Sequence, residues 1–111
     1  MLPVIESGVS LQPFNTFGVA ARAAHFARIR SVDELAALLA DARWGAVPRL
    51  VLGGGSNVLL TRDVDGLVLL MAIPGIDVLG ERDGALHVRV GAGEDWHRTV
   101  ERLLAQGLPG L

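Results

Sequence analysis

The chain has no cysteine and no lysine among its 111 residues. Without cysteine there can be no disulfide, thiolate zinc site, iron–sulfur cluster or thiol nucleophile. Without lysine there is no P-loop lysine, Schiff base or lysine nucleophile. Arginine supplies all 10 basic residues, and these are scattered among 12 acidic ones. The basic stripe that marks duplex binding is therefore missing, and no nucleic-acid partner is expected. Long apolar runs are missing too. The longest, residues 67–73, is far short of the roughly 20 residues that span a bilayer. The amino terminus, "MLPVIESGVS", has neither a basic n-region nor a long apolar h-region. No membrane partner is expected, and a reducing, cytoplasmic setting fits.

Apolar residues make up 50% of the chain and aromatics only 5%. A globular chain of this length buries about 65% of its unfolded surface, so one ordinary core in one domain is expected. Residues 1–18 read as irregular, punctuated by Pro3, Gly8, Pro13 and Gly18. "AAHFARIR" reads as extended, and "SVDELAALLADAR" as a helix opened by a Ser31–Glu34 capping box. Val32, Leu35, Ala36, Leu38, Leu39 and Ala42 form its apolar stripe. "RLVLG" follows as a strand, which makes strand, helix and strand a parallel βαβ unit. "NVLL" and "GLVLLMAI" read as strands around a polar bend at 61–66. Asp83-Gly84 predicts a hairpin, with Leu86, Val88 and Val90 on the buried side of its second strand. "EDWHRTVERLLAQG" predicts a second helix, with Trp96, Val100, Leu103 and Leu104 on one face.

One stretch needs a special explanation. "LVLGGGSNVLL" places three glycines, a serine and an asparagine between two aliphatic runs. Glycine inside an element is unfavourable by roughly 0.5–1 kcal/mol relative to alanine. Neither G-x-G-x-x-G nor a P-loop fits. The fingerprint begun at Gly53 meets Val58, the one begun at Gly91 meets Trp96, and no lysine exists. Two readings remain. The stretch is a tight turn, or it is a nest of backbone amides that holds a diphosphate, with the Ser56 hydroxyl and Asn57 amide as extra donors.

"PFNTFGVAARAAHFARIRSVDEL", "LVLGGGSNVLL" and "HVRVGAGEDWHRTVERLLAQGLPGL" together resemble, in order and spacing, the opening of the UDP-N-acetylenolpyruvoylglucosamine reductase family. The likeness runs from about Pro13 to the end. It implies an α+β fold, the FAD-binding domain of the p-cresol methylhydroxylase (PCMH) type. A small βαβ subdomain, about 23–73, would be followed by strands, a hairpin and a helix in a second portion, about 74–111. Residues 19–111 would then be a partial domain, truncated at its carboxyl end.

The resemblance also implies a reaction. NADPH gives a hydride to FAD, which reduces the enolpyruvyl ether of UDP-N-acetylglucosamine to form UDP-N-acetylmuramate for the cell wall. The implied cofactor-binding residues are Gly53, Gly54, Gly55, Ser56 and Asn57, with Asn15, Thr16, Gly91 and Gly93 as further candidates. Asn15 and Thr16 either contact the cofactor or shape a turn; Gly91 and Gly93 admit the flavin, cap a helix, or both. The family's catalytic serine, arginine and glutamate fall beyond Leu111, so no catalytic residue and no metal ligand is assigned. By itself the chain is expected to be inactive, with weak or absent FAD binding and an apolar patch that favours self-association. Other readings are a fragment of a PCMH-type flavin oxidase and a non-enzymatic nucleotide- or anion-binding module. His25, His87 and His97 are too dispersed for a zinc site, and Trp44 and Trp96 read as packing residues.

Overall fold

The apolar run at 66–70 is buried along its whole length, the pattern of a strand covered on both faces. The computed structural model describes residues 2–15, 17–53, 60 and 62–107. Among them are β1 (Ile5–Ser10), β2 (Arg22–Ile29), α1 (Val32–Ala40), β3 (Arg49–Leu52), β4 (Val64–Met71), β5 (Ile76–Arg82), β6 (Ala85–Val90) and α2 (Trp96–Ala105). The first four strands form one sheet in the order β1-β2-β4-β3, and β5 and β6 form a separate hairpin. This is the mixed α+β architecture expected.

Strand β4 lies parallel to both β2 and β3. On one face Phe26, Leu52, Val68 and Leu70 pack under Leu11, Ala21 and Leu60, flanked by Phe14 and Val19. On the other, Ala27, Ile29, Leu67 and Leu69 pack against Leu38 of α1, with Leu35, Trp44 and Val47 around them. The helix thus covers one face, and the segment between β1 and β2 covers the other.

The βαβ reading is right in direction and needs correcting in neighbourhood. β2 and β3 are parallel but not adjacent, because β4 inserts between them. Apolar alternation records which face a residue takes, not which strand lies beside it. The polar bend also shrinks, since β4 already begins at Val64. It carries a bulge opposite Ala23 to His25, where Gly66 lets the carbonyl of Pro48 accept a hydrogen bond from the Leu67 amide at 2.9 Å. Of the "NVLL" strand only Leu60 is described, buried and outside any strand.

Residues 1–18 are not irregular throughout. β1 pairs antiparallel with β2 from Ile5 opposite Ala27 to Ser10 opposite Arg22. Gly8, which reads as a break, takes φ +62 within the strand and is tolerated because β1 is an edge. α1 keeps its cap, the Glu34 amide donating to Ser31 Oγ at 3.1 Å. The Glu34 carboxylate, however, accepts from the Arg30 amide, one residue further back than the box requires. The helix stops at Ala40, short of Arg43. There Asp41 Oδ1 accepts from the Arg43 amide at 2.8 Å, a local turn that competes with the helical ladder. Leu38 is the residue of α1 that becomes fully buried.

The hairpin turns at Asp83 and Gly84, with φ +54 and +78, the paired positive values of a type I′ turn. Its faces do not match the half-buried expectation. Leu86 is exposed, and Val88 and Val90 are only half-buried. α2 begins with the Asp95 side chain accepting from the His97 amide at 2.9 Å and ends before Gly107 at φ +76. Thr99 and Leu103 are its buried residues.

A methyl group at Gly66 would stand 2.5 Å from the Pro48 carbonyl oxygen, with that carbonyl's carbon at 3.3 Å. Backbone cannot yield as a flexible side chain does. Gly66→Ala is expected to cost about 2–3 kcal/mol. Gly84→Ala, with open space around it but a left-handed backbone, should cost about 1–2 kcal/mol. Urea denaturation of both variants checks the order, and an unchanged midpoint for Gly66→Ala would contradict the bulge geometry.

Candidate functional site

Because β2, β3 and β4 run the same way, their carboxyl ends meet at one edge of the sheet. Ile29 pairs with Met71 there, and Leu52 pairs with Leu70. Gly53, half-buried, follows Leu52 directly. The glycine stretch therefore leaves the sheet at its carboxyl edge, where open α/β sheets bind ligands. Gly54, Gly55, Ser56 and Asn57 lie outside the described residues, as does Thr16.

The same edge continues into residues 72–75. The Ala72 amide donates to Ile29 O at 2.7 Å, Gly93 to Ile73 O at 2.9 Å, and Gly91 to Gly75 O at 2.7 Å. Gly75 in turn donates to Glu94 Oε2 at 2.7 Å. A Cβ on Gly91 would lie 2.3 Å from Ile73 O, and one on Gly93 would lie 2.5 Å from the Ala72 Cα. Both glycines thus admit the chain's own backbone, a third reason that sequence inspection does not supply. Glu94, which suits a helix start by its charge, is spent instead on tying residue 75 to the turn before α2.

Asn15 lies in the β1–β2 connection, next to Phe14, which packs on the sheet face of Phe26, Leu52 and Leu70. It is 7% exposed. Its Nδ2 donates to Leu11 O at 2.8 Å and to Val19 O at 3.1 Å, while Oδ1 accepts from the Val19 amide at 2.9 Å. Of the two roles open to it, the geometry fills the turn-shaping one. Leu11, which it braces, packs in one cluster with Leu60, near the far end of the glycine connection.

One residue on this face went unnoticed in the sequence. Arg28 is half-buried on β2, in the cross-strand row Arg28, Leu70, Leu52. Its guanidinium carbon lies 5.8 Å from the Phe14 ring centroid, and Phe14 stacks on Phe26 with centroids 5.1 Å apart. Among the described residues it forms no ion pair; the pairs present are Arg43–Asp41 and His97–Glu101. The available signal was an arginine two residues after a core phenylalanine, on the same side of a strand.

The remaining candidates scatter. His97 pairs with Glu101 on the surface of α2, and His87 is exposed on β6. His25 meets Trp44 edge-on at 5.0 Å. Trp44 packs as expected, although its buried Nε1 has no hydrogen-bond partner. Trp96 does not pack. It is 62% exposed, because α2 turns Thr99 and Leu103 inward instead. No helix among the described residues is long and apolar enough to cross a membrane.

Residues 23–110 match the FAD binding domain family. The chain belongs to that family. It is 55% identical over 102 residues to a UDP-N-acetylenolpyruvoylglucosamine reductase from Burkholderia mallei (strain NCTC 10229), covering 92% of this chain and 29% of the relative. The similarly named protein of Burkholderia pseudomallei (strain 668) is 54% identical over the same shares. That of Burkholderia orbicola (strain MC0-3) is 47% identical over 99% of this chain and 33% of its own length. The chain thus spans about a third of the length of these relatives. The FAD binding domain match begins within β2, yet β1 pairs along β2, so residues 5–10 belong to the same sheet.

Asn15→Ala removes three hydrogen bonds at once. Leu11 O and Val19 O keep the amides of Phe14 and Ala21 as donors, whereas the Val19 amide loses its acceptor. The expected cost is about 1–3 kcal/mol. Asn15→Asp should cost at least as much, since it sets a carboxylate oxygen against two carbonyls. Equilibrium denaturation of the two variants is the check; wild-type stability in either would remove Asn15 from this role.

Proposed function

We propose that this chain is the FAD-binding part of an NADPH-dependent reductase that converts UDP-N-acetylglucosamine enolpyruvate to UDP-N-acetylmuramate. That activity would place it in cytoplasmic peptidoglycan synthesis and so in cell shape and division. The observation that carries the reading is the position of Gly53, where the glycine stretch begins, at the carboxyl edge of three parallel strands, in a chain so similar to reductases of that name. Its partners would be FAD and, in the whole protein, NADPH and a UDP-sugar.

In this reading residues 53–57 hold the cofactor diphosphate, chiefly through backbone amides, the donors suited to spread negative charge. Ser56 adds a hydroxyl and Asn57 an amide. Residues 72–75, fixed by Gly91, Gly93 and Glu94, form the adjoining wall. Asn15 holds the β1–β2 connection, with Thr16 beside it. When bound, FAD supplies the centre that accepts and donates hydride. This chain's residues bind and orient it; none is assigned a catalytic step.

A chimera tests this directly. Residues 1–111 replace the matching part of the Burkholderia mallei relative. The protein is expected to purify yellow, to bleach with NADPH under anaerobic conditions, and to regain its colour on adding UDP-N-acetylglucosamine enolpyruvate. A folded but colourless chimera would overturn the proposal.

Self-association belongs to the same reading. Val78, Leu79 and Leu86 on the hairpin are exposed, as are Trp96 and Leu104 on α2. Sedimentation velocity of the 111-residue chain is expected to show concentration-dependent dimers or larger species. A single monomeric species at several hundred micromolar would count against it.

A further inference from the structure

We infer that Arg28 is a side-chain contact for the cofactor's phosphates, complementing the backbone donors of the glycine stretch. The inference rests on the reading of this chain as FAD-binding and names a residue that reading does not include.

Arg28 carries a charge that no described anion matches. A guanidinium withdrawn from water loses hydration and needs an anion or acceptors in return. Arg28 is half-buried and has no such partner among the described residues. Its contact is the Phe14 ring, which Phe26 supports from below. A ring face holds a cation in place and leaves the edge of the guanidinium, with its N–H donors, available.

Position supplies the second part. Arg28, Leu70 and Leu52 are neighbours across β2, β4 and β3. With strands about 4.8 Å apart, the Arg28 backbone is about 10 Å from that of Leu52. Its cation–π contact puts the Arg28 side chain on the Phe14 face, the face that Leu52 and Leu70 also occupy. Gly53 comes immediately after Leu52. The arginine therefore sits on the ligand side of the carboxyl edge, within a side chain's reach of the point where the glycine stretch begins. A planar guanidinium pairs with two phosphate oxygens at once, a geometry that lysine does not offer.

The test uses the ¹⁵N-labelled 111-residue chain titrated to millimolar concentrations with FAD, ADP and riboflavin. FAD and ADP are expected to move the Arg28 Nε–H resonance, and riboflavin, which carries no phosphate, is not. Arg28→Met should weaken FAD binding about tenfold with its melting temperature unchanged, and Arg28→Lys should fall between it and wild type. If FAD moves amides at the carboxyl edge but leaves Arg28 Nε–H in place, and Arg28→Met binds FAD as wild type does, this inference is wrong and the FAD reading stands. If no resonance responds to FAD, the inference fails for this chain, and the colour of the chimera decides the FAD reading separately.

Discussion

Strand β4 is hydrogen-bonded on both edges and covered on both faces, and every nearby element takes its position from that double constraint. Its neighbours β2 and β3 are both parallel to it. Its residues 66–70 are buried, so each face needs its own cover. α1 supplies one cover. The other is built from Leu11, Phe14, Val19, Ala21 and Leu60, which come from the two connections rather than from an α-helix. Arg28, against Phe14, lies on the face covered by connections.

The parallel arrangement also decides where the glycine stretch begins. β3 and β4 are consecutive in sequence and run in the same direction, so residues 53–63 must connect the carboxyl end of one to the amino end of the other. Parallel neighbours exclude a two-residue hairpin. Whether residues 53–57 turn tightly or form a nest lies outside the described residues beyond Gly53. The glycines at 66, 91 and 93 answer a different need. Each faces backbone from a distant part of the chain at a separation that no Cβ tolerates. They lock the sheet and its outgoing segment.

What the sequence made legible was local. Ser31 caps its helix, and Asp83-Gly84 turns its hairpin, because each signal acts within three or four residues. The strands β2, β3 and β4 were visible as apolar runs. Strand order was not, since a parallel strand buried on both faces gives no sign of its neighbours. β1 was hidden by Pro3 and Gly8, which an edge strand tolerates and a central one does not. The alternation at Leu86, Val88 and Val90 is real, yet the hairpin carries it outside the main sheet. Trp96 misled for a related reason: the stripe at 96, 100 and 104 is one of two faces of α2, and the fold buries the one through Thr99 and Leu103. Of the site, the glycine motif was legible as a pattern. Arg28 and Glu94 were not, because what each does depends on a partner far along the chain.

The missing lysine returns here with a physical meaning. A lysine ammonium is a compact, strongly hydrated charge on a flexible stem, and holding it at a partly buried position forfeits much of its hydration. Arg28 is half-buried and lies against Phe14. A guanidinium suits the place better because it is more weakly hydrated and can stack on the ring while its edge still donates. Its fork adds direction to the backbone amides of a glycine stretch, which supply donors but no net charge. In the proposed reading, two kinds of donor with different strengths would meet the cofactor at one edge of the sheet. Such a division would let a chain with a net charge of −2 offer a diphosphate a locally favourable site: the pull would come from oriented donors and a single stacked cation, not from the charge of the protein as a whole.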